Sequence, residues 1–174
     1  MYYVVYFIFV SNFKKERMKL GDLLQKKPND KYNLQRFENA QSFVYDEALM
    51  EVHGGKVQTN WVVFMFPQVE GLGKSDSSKE FAISSIEEAR AYVQNEQLWD
   101  NYLELLMVLM NHKGTLPQLI FGKNDAMKLK SSLTLFNFIK PKEALIKKVL
   151  ETFYQGQTDK KTLEIIKQFK SKKG

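Results

Sequence analysis

The 174-residue chain has no cysteine. Disulfides, thiolate metal sites and a cysteine nucleophile are therefore excluded, and the composition suits a reducing cytoplasm. Histidine is almost as scarce. His53 and His112 each stand within two residues of a glycine near a helix end, with no second ligand at zinc spacing, so neither a metal nor a cofactor is expected. An imidazole at a helix C-terminus is favourable on electrostatic grounds alone. Long apolar runs are also missing. The nearly all-apolar stretch from Met1 to Val10 falls short of the roughly 20 residues a membrane span needs. It is a poor signal peptide too, because its positive charge follows the apolar run and no small-residue cleavage site appears. Two readings of this stretch remain. Either translation starts at Met18, since Lys15-Glu16-Arg17 can be encoded by a purine-rich, ribosome-binding-like sequence, or the segment is a strand or strap packed on the domain.

What the chain does have is enough apolar material for one core. Hydrophobic residues make up 44%, and 13 Phe with 8 Tyr argue for a packed globule and against disorder. The net charge of +6 has a definite address. Residues 140–174 carry ten lysines and four acids, whereas residues 1–139 carry sixteen of each sign. A basic end of this kind can touch nucleic acid or serve only as a solvated helix face.

Apolar spacing at three and four residues predicts helices through most of the chain. The first runs from Asn33 to the Gly54-Gly55 pair. Thr59–Phe66 is either a buried strand or a short buried helix, and Pro67 ends it. Ser84-Ser85-Ile86-Glu87-Glu88 is a capping box that opens a helix through Tyr92. The most apolar helix spans 96–112, and a further one spans Asn124–Ile139. Pro141 is placed as the first residue of the next helix, up to Tyr154, and a last helix runs from Asp159 to Lys172. The fold expected is mainly α, a compact single-domain helical bundle with at most minor strand content. Its divisions are an extension over 1–31, a core over 32–156 and a basic helix over 157–174.

Two polar clusters interrupt this pattern. Gln68-Val-Glu-Gly-Leu-Gly-Lys-Ser75 invites comparison with a phosphate-binding loop, but Gln68 stands where that motif needs its first glycine. No later strand ends in an aspartate for magnesium. Either the loop turns a corner, or its amides and Ser75 bind an anion without that fold. The second cluster holds Asp125, Lys128, Ser131, Ser132 and Thr134 at helical spacing. It reads as a solvated face with one Asp–Lys pair, or as the polar wall of a pocket.

Taken together, these residues resemble the bacterial family called domain of unknown function 1810. The likeness covers roughly residues 33–155. It rests on Leu34-Gln-Arg-Phe37, Ala40-Gln41, Tyr45, Trp61, Phe64, Phe66-Pro67-Gln68, Gly71-Leu72-Gly73, Ser75, Ala82-Ile83, Glu88-Ala89-Arg90, Tyr92, Gly122, Asp125, Lys128, Ser131-Ser132 and Thr134-Leu135-Phe136. Phe81 departs from the tyrosine usual in the family. The resemblance implies a compact helical domain and no particular activity.

Two functions are expected on this basis. The first is binding of, or catalysis on, a small anionic ligand such as a nucleotide or an ADP-ribose-like molecule. Arg36, Gln41, Trp61, Gln68, Gly71, Gly73, Ser75, Lys128, Ser131, Ser132 and Thr134 would be the ligand-binding residues, and Asp125 the general base. The second is a non-catalytic protein- or nucleic-acid-interaction module using an aromatic surface and the Lys-rich C-terminal helix. The first depends on the Gln68–Ser75 loop and the Asp125–Thr134 helix meeting.

Overall fold

The computed structural model describes residues 29–171, with the side chain of Ser171 excepted. The alternatives for Met1–Val10 and the start at Met18 fall outside that range.

Asp30 opens the fold by accepting hydrogen bonds from the backbone N–H groups of Leu34 (2.7 Å) and Gln35 (2.8 Å). This satisfies donors that the first turn of a helix leaves free. The helix that follows, α1 (Gln35–His53), buries Phe37, Ala48, Leu49 and Val52 on one face. The apolar run after it is a four-residue helix, α2 (Val62–Met65), with Trp61 and Phe66 fully buried at its ends. A short α3 (Asp76–Glu80) precedes α4 (Ile86–Gln94). Here the expected capping box is present in a slightly shifted form. Ser85 Oγ accepts from Glu88 N at 3.1 Å, and Glu88 reaches back to the N–H and hydroxyl of Ser84. Asn95 caps α5 (Glu96–Leu109), which continues into a 3₁₀ turn at Met110–His112.

The next helix, α6 (Pro117–Ile139), is kinked at Gly122. The kink has a backbone cause. With φ 74° and ψ 165°, Gly122 occupies a region essentially closed to residues bearing a Cβ. Two helices follow, α7 (Ala144–Tyr154) and α8 (Lys160–Ser171). Pro141 is not the first residue of α7, contrary to the sequence expectation. It sits second in a turn closed by Glu143 N donating to Lys140 O at 3.0 Å, a position its fixed φ favours. Glu143 is then the cap, its carboxylate accepting from Leu145 N. Among the described residues the β content is one isolated parallel bridge, Val69 with Ile83.

The helices close on an aromatic centre. Phe136 of α6 meets Tyr92, Trp99 and Tyr102, with ring centroids 5.1, 5.5 and 5.0 Å away. Trp99 and Tyr102 stack, and Phe37 meets Tyr92 edge-on at 5.2 Å. Burying rings of this size contributes most of the core energy, at about 25 cal/mol per Å² of apolar surface.

Helices α1 and α5 lie side by side and run parallel, as their bonds show. Asn95 donates to Glu38, Asn101 to Gln41 and Tyr45 to Glu104, while His112 Nε2 sits 3.1 Å from His53 O. Position n on α1 thus stays near n+59 on α5. The register is held by polar contacts at each level.

Candidate functional site

Arg36 extends from the first turn of α1 into a cage of acceptors. Its Nε donates to Glu80 O at 2.9 Å, and one terminal nitrogen donates to Tyr32 O and Asn33 O at 2.7 and 2.8 Å. The other donates to Ala82 O at 3.0 Å and to Glu88 Oε1 at 2.5 Å. A guanidinium has five N–H donors, and all five are taken. Its plane also covers the Phe37 ring at 4.3 Å. Glu88 is almost completely buried and accepts from Ser84 as well. The pair therefore clamps the α3–α4 connection onto α1.

Gln41 is fully buried. Its amide donates to Phe64 O at 2.9 Å and to Tyr92 Oη at 3.1 Å, and its carbonyl accepts from Asn101 at 2.9 Å. Tyr92 is pushed well above the ordinary tyrosine range by burial, so it stays a neutral hydroxyl. Trp61 is fully buried and donates its indole N–H to Glu51 at 2.7 Å. Burial works against the charge on Glu51. The N–H groups of Gln58, Trp61 and Thr59 outweigh it and hold the carboxyl below its ordinary value.

The glycine loop has steric reasons for its composition. A Cβ on Gly73 would lie 2.2 Å from the Cβ of Ser78, and Gly71 has φ +94°. Ser75 caps α3, accepting from Ser78 N at 3.2 Å. Gln68 gives its backbone carbonyl to Ile83 N at 2.8 Å, beside the Val69–Ile83 bridge.

The second cluster divides in two. Asp125 and Lys128 pair with each other at 2.8 Å, one turn apart. Ser131 and Thr134 face the last helix: Ser131 Oγ donates to Asp159 at 3.0 Å, and Asp159 N donates to Thr134 Oγ1 at 2.8 Å. Asp159 also accepts from the hydroxyl and N–H of Thr162, capping α8. Burial opposes its charge, yet the bonds from Thr162, Ser131 and the Lys161 N–H hold its carboxyl below the usual value. Ser132 is fully buried and lies 3.4 Å from Tyr102 Oη.

Helix α8 therefore begins at Ser131 and Thr134, and it runs alongside α6 until Lys170 lies 4.5 Å over the Phe138 ring. The glycine loop touches α8 further along, where a Cβ on Gly71 would meet Ile165 at 3.8 Å. At 1.5 Å per residue, Ile165 lies about 9 Å beyond Asp159, and Asp125 lies about 9 Å before Ser131 in the opposite direction. The glycine loop thus reaches the middle of α8, and Ser131 and Thr134 reach its first turn. Ser131 and Thr134 are brought together, as are Asp125 and Lys128, while Arg36, Gln41 and Trp61 each belong to a separate internal network.

Sequence reasoning missed the partners: Glu88 for Arg36, Glu51 for Trp61, and Asp159 for Ser131 and Thr134. Local signals marked Asp159, as a helix cap three residues before Thr162, and Glu88, in the capping box, but neither pointed to its distant partner. Among the described residues no group of three His, Asp or Glu side chains is placed to hold a metal. Nor is any helix among them long and apolar enough to cross a membrane.

The family description "Protein of unknown function (DUF1810)" matches residues 31–166, a span that includes Asp159 and the first half of α8. Nothing matches among the curated proteins compared. Among solved structures, the conserved hypothetical protein Rv1873 from Mycobacterium tuberculosis is similar, with 34% identity and a TM-score of 0.77. That likeness covers 79% of this chain and 99% of the other.

Proposed function

The chain belongs to the family of proteins of unknown function (DUF1810), and from that premise we propose a non-catalytic module that binds a nucleic-acid backbone through the lysines of α7 and α8. The observation carrying this reading is where the polar groups are spent. Arg36, Gln41, Ser131 and Thr134 are consumed by internal bonds, and Asp125 pairs with Lys128. By contrast Lys147, Lys148, Lys160, Lys161 and Lys167 are exposed on outer helix faces. Residues 113–171 hold twelve lysines against five acids, a net +7. Such a surface recruits phosphates without reading sequence.

Fluorescence anisotropy with labelled duplex DNA and RNA across a salt series tests it. Affinity should fall steeply with salt, with a log–log slope of about −0.9 per phosphate neutralised on B-DNA. Reversing Lys147, Lys148, Lys160 and Lys161 to glutamate should flatten that slope by about 1 for each lysine–phosphate pair removed. A flat salt response, or a variant that binds as before, sinks the proposal. Thermal stabilisation by nucleotides or NAD derivatives that survives the four reversals would favour the small-anion reading instead.

A further inference from the structure

Three lysines of the basic half of the chain lie over aromatic rings. Lys130 Nζ sits 5.8 Å from the centroid of the Tyr154 ring, Lys140 Nζ 5.7 Å from that of Trp99, and Lys170 Nζ 4.5 Å from that of Phe138. Trp99 is 7% exposed and belongs to the core, whereas Tyr154 and Phe138 are half-buried. A lysine keeps its ammonium in water and lays its stem on apolar surface. Lys170 is exposed, so the Phe138 face beneath its charge is turned away from the core.

A second observation falls on the same strip of α6. Asn137 Oδ1 is buried, and no described residue donates to it. Asn137 stands seven residues past Lys130, which reaches α7 at Tyr154, and three past Thr134, which meets α8 at Asp159. At 3.6 residues per turn it therefore lies on the line of α6 that runs between those two helices. A buried carbonyl without a donor is costly, so this position favours a visitor that brings an N–H.

We infer that the strip of α6 between α7 and α8 takes a single-stranded nucleic acid, in which one base stacks on Phe138 and donates an N–H to Asn137 while the phosphates lie on Lys147, Lys148, Lys167 and Lys170. The inference rests on the nucleic-acid reading of α7 and α8, and it narrows the partner from any phosphate backbone to a strand with unpaired bases. Every base has a π-face, and each carries an N–H donor on its pairing edge, so a site of this kind tolerates any sequence. In a duplex the face and the edge are both occupied. The charge is suited to a strand as well: residues 137–171 hold eight lysines against four acids, and Asp159 spends its charge on Ser131 and Thr162.

Fluorescence anisotropy of the full chain with four labelled probes of equal length tests this: single-stranded DNA, single-stranded RNA, the matching DNA duplex, and a strand of abasic sites. Both strands that carry bases should bind about tenfold or more tighter than the abasic strand, and tighter than the duplex. Phe138→Leu keeps an apolar side chain at this packed edge. It should lower single-strand affinity about fivefold or more and leave the abasic strand bound as before, while Phe138→Trp should retain or raise the affinity. Asn137→Leu should likewise weaken only the strands that carry bases, and melting temperatures near the native value will show that each variant is folded. An abasic strand or duplex bound as tightly as the single strand overturns the inference, and so does a Phe138→Leu chain that binds single strands as the native chain does. In either case the wider nucleic-acid reading still stands on its salt dependence. Native affinity in Asn137→Leu for the strands with bases would overturn it too, leaving the Asn137 carbonyl to a water. Absence of binding by all four probes overturns both readings.

Discussion

At the scale of single residues, a side chain's type does not reveal whether its donors are free. Arg36 has the look of an anion ligand, yet its five N–H groups hold four carbonyls and Glu88. Removing it would leave Glu88 charged and buried without its counter-ion. Arg36→Ala should therefore cost about 3–5 kcal/mol of unfolding free energy, read from a shifted denaturant midpoint. Arg36→Met combined with Glu88→Leu should recover much of that loss, because an apolar pair leaves no stranded charge. A double variant no better than Arg36→Ala would mean that the bonds to Tyr32, Asn33, Glu80 and Ala82 are the dominant contribution.

At the scale of elements, α8 is both capped and docked by one carboxylate, Asp159, which joins the helix's own first turn to Ser131 on α6. Losing a cap of this kind to alanine costs about 1 kcal/mol, whereas Asp159→Asn keeps a carbonyl acceptor and removes the charge that strengthens the bonds from Ser131 and Thr162. The sign with pH follows from the depressed acidity. A carboxyl whose folded pKa lies below its unfolded value of about 3.9 stabilises fully above that value, and the contribution disappears as pH falls through the folded one. The stability gap between the native chain and Asp159→Asn should hold constant from neutral pH to about 5 and narrow below about 4. A gap independent of pH down to full acid unfolding would show that the charge on Asp159 is unimportant. The helix itself was legible in the sequence, since Leu163, Ile166 and Phe169 recur at helical spacing. Its anchor was not, because Ser131 and Thr134 lie 28 and 25 positions away from Asp159.

At the scale of the whole molecule, α8 belongs to the core even though its outer face is basic. Thr162 is fully buried and Ile166 is 2% exposed. A chain ending at Thr158 should therefore lose stability as well as charge. Burial of Ile166 alone contributes about 1.5–3 kcal/mol, which in a domain of this size lowers Tm by roughly 5 °C or more. A truncated chain that melts with the native one would mean that α8 is an independent appendage. Reversal of surface lysines, which leaves the core intact, is consequently the cleaner probe of nucleic-acid binding.

The amino-acid order by itself determined where most helices begin and end, because caps, turns and apolar spacing act over a few neighbouring residues. It also determined the basic character of the C-terminal end. Only the tertiary structure decided that the run Thr59–Phe66 forms a short helix at Val62–Met65, because so short an apolar run has no periodicity that separates helix from strand. The same holds for the polar residues of the family. Whether Arg36, Gln41, Ser131 and Thr134 face a ligand or one another depends on partners 25 to 60 positions distant. A hydrogen bond carries no trace of its partner in local composition, so chain folding alone sets which donors remain for a visitor.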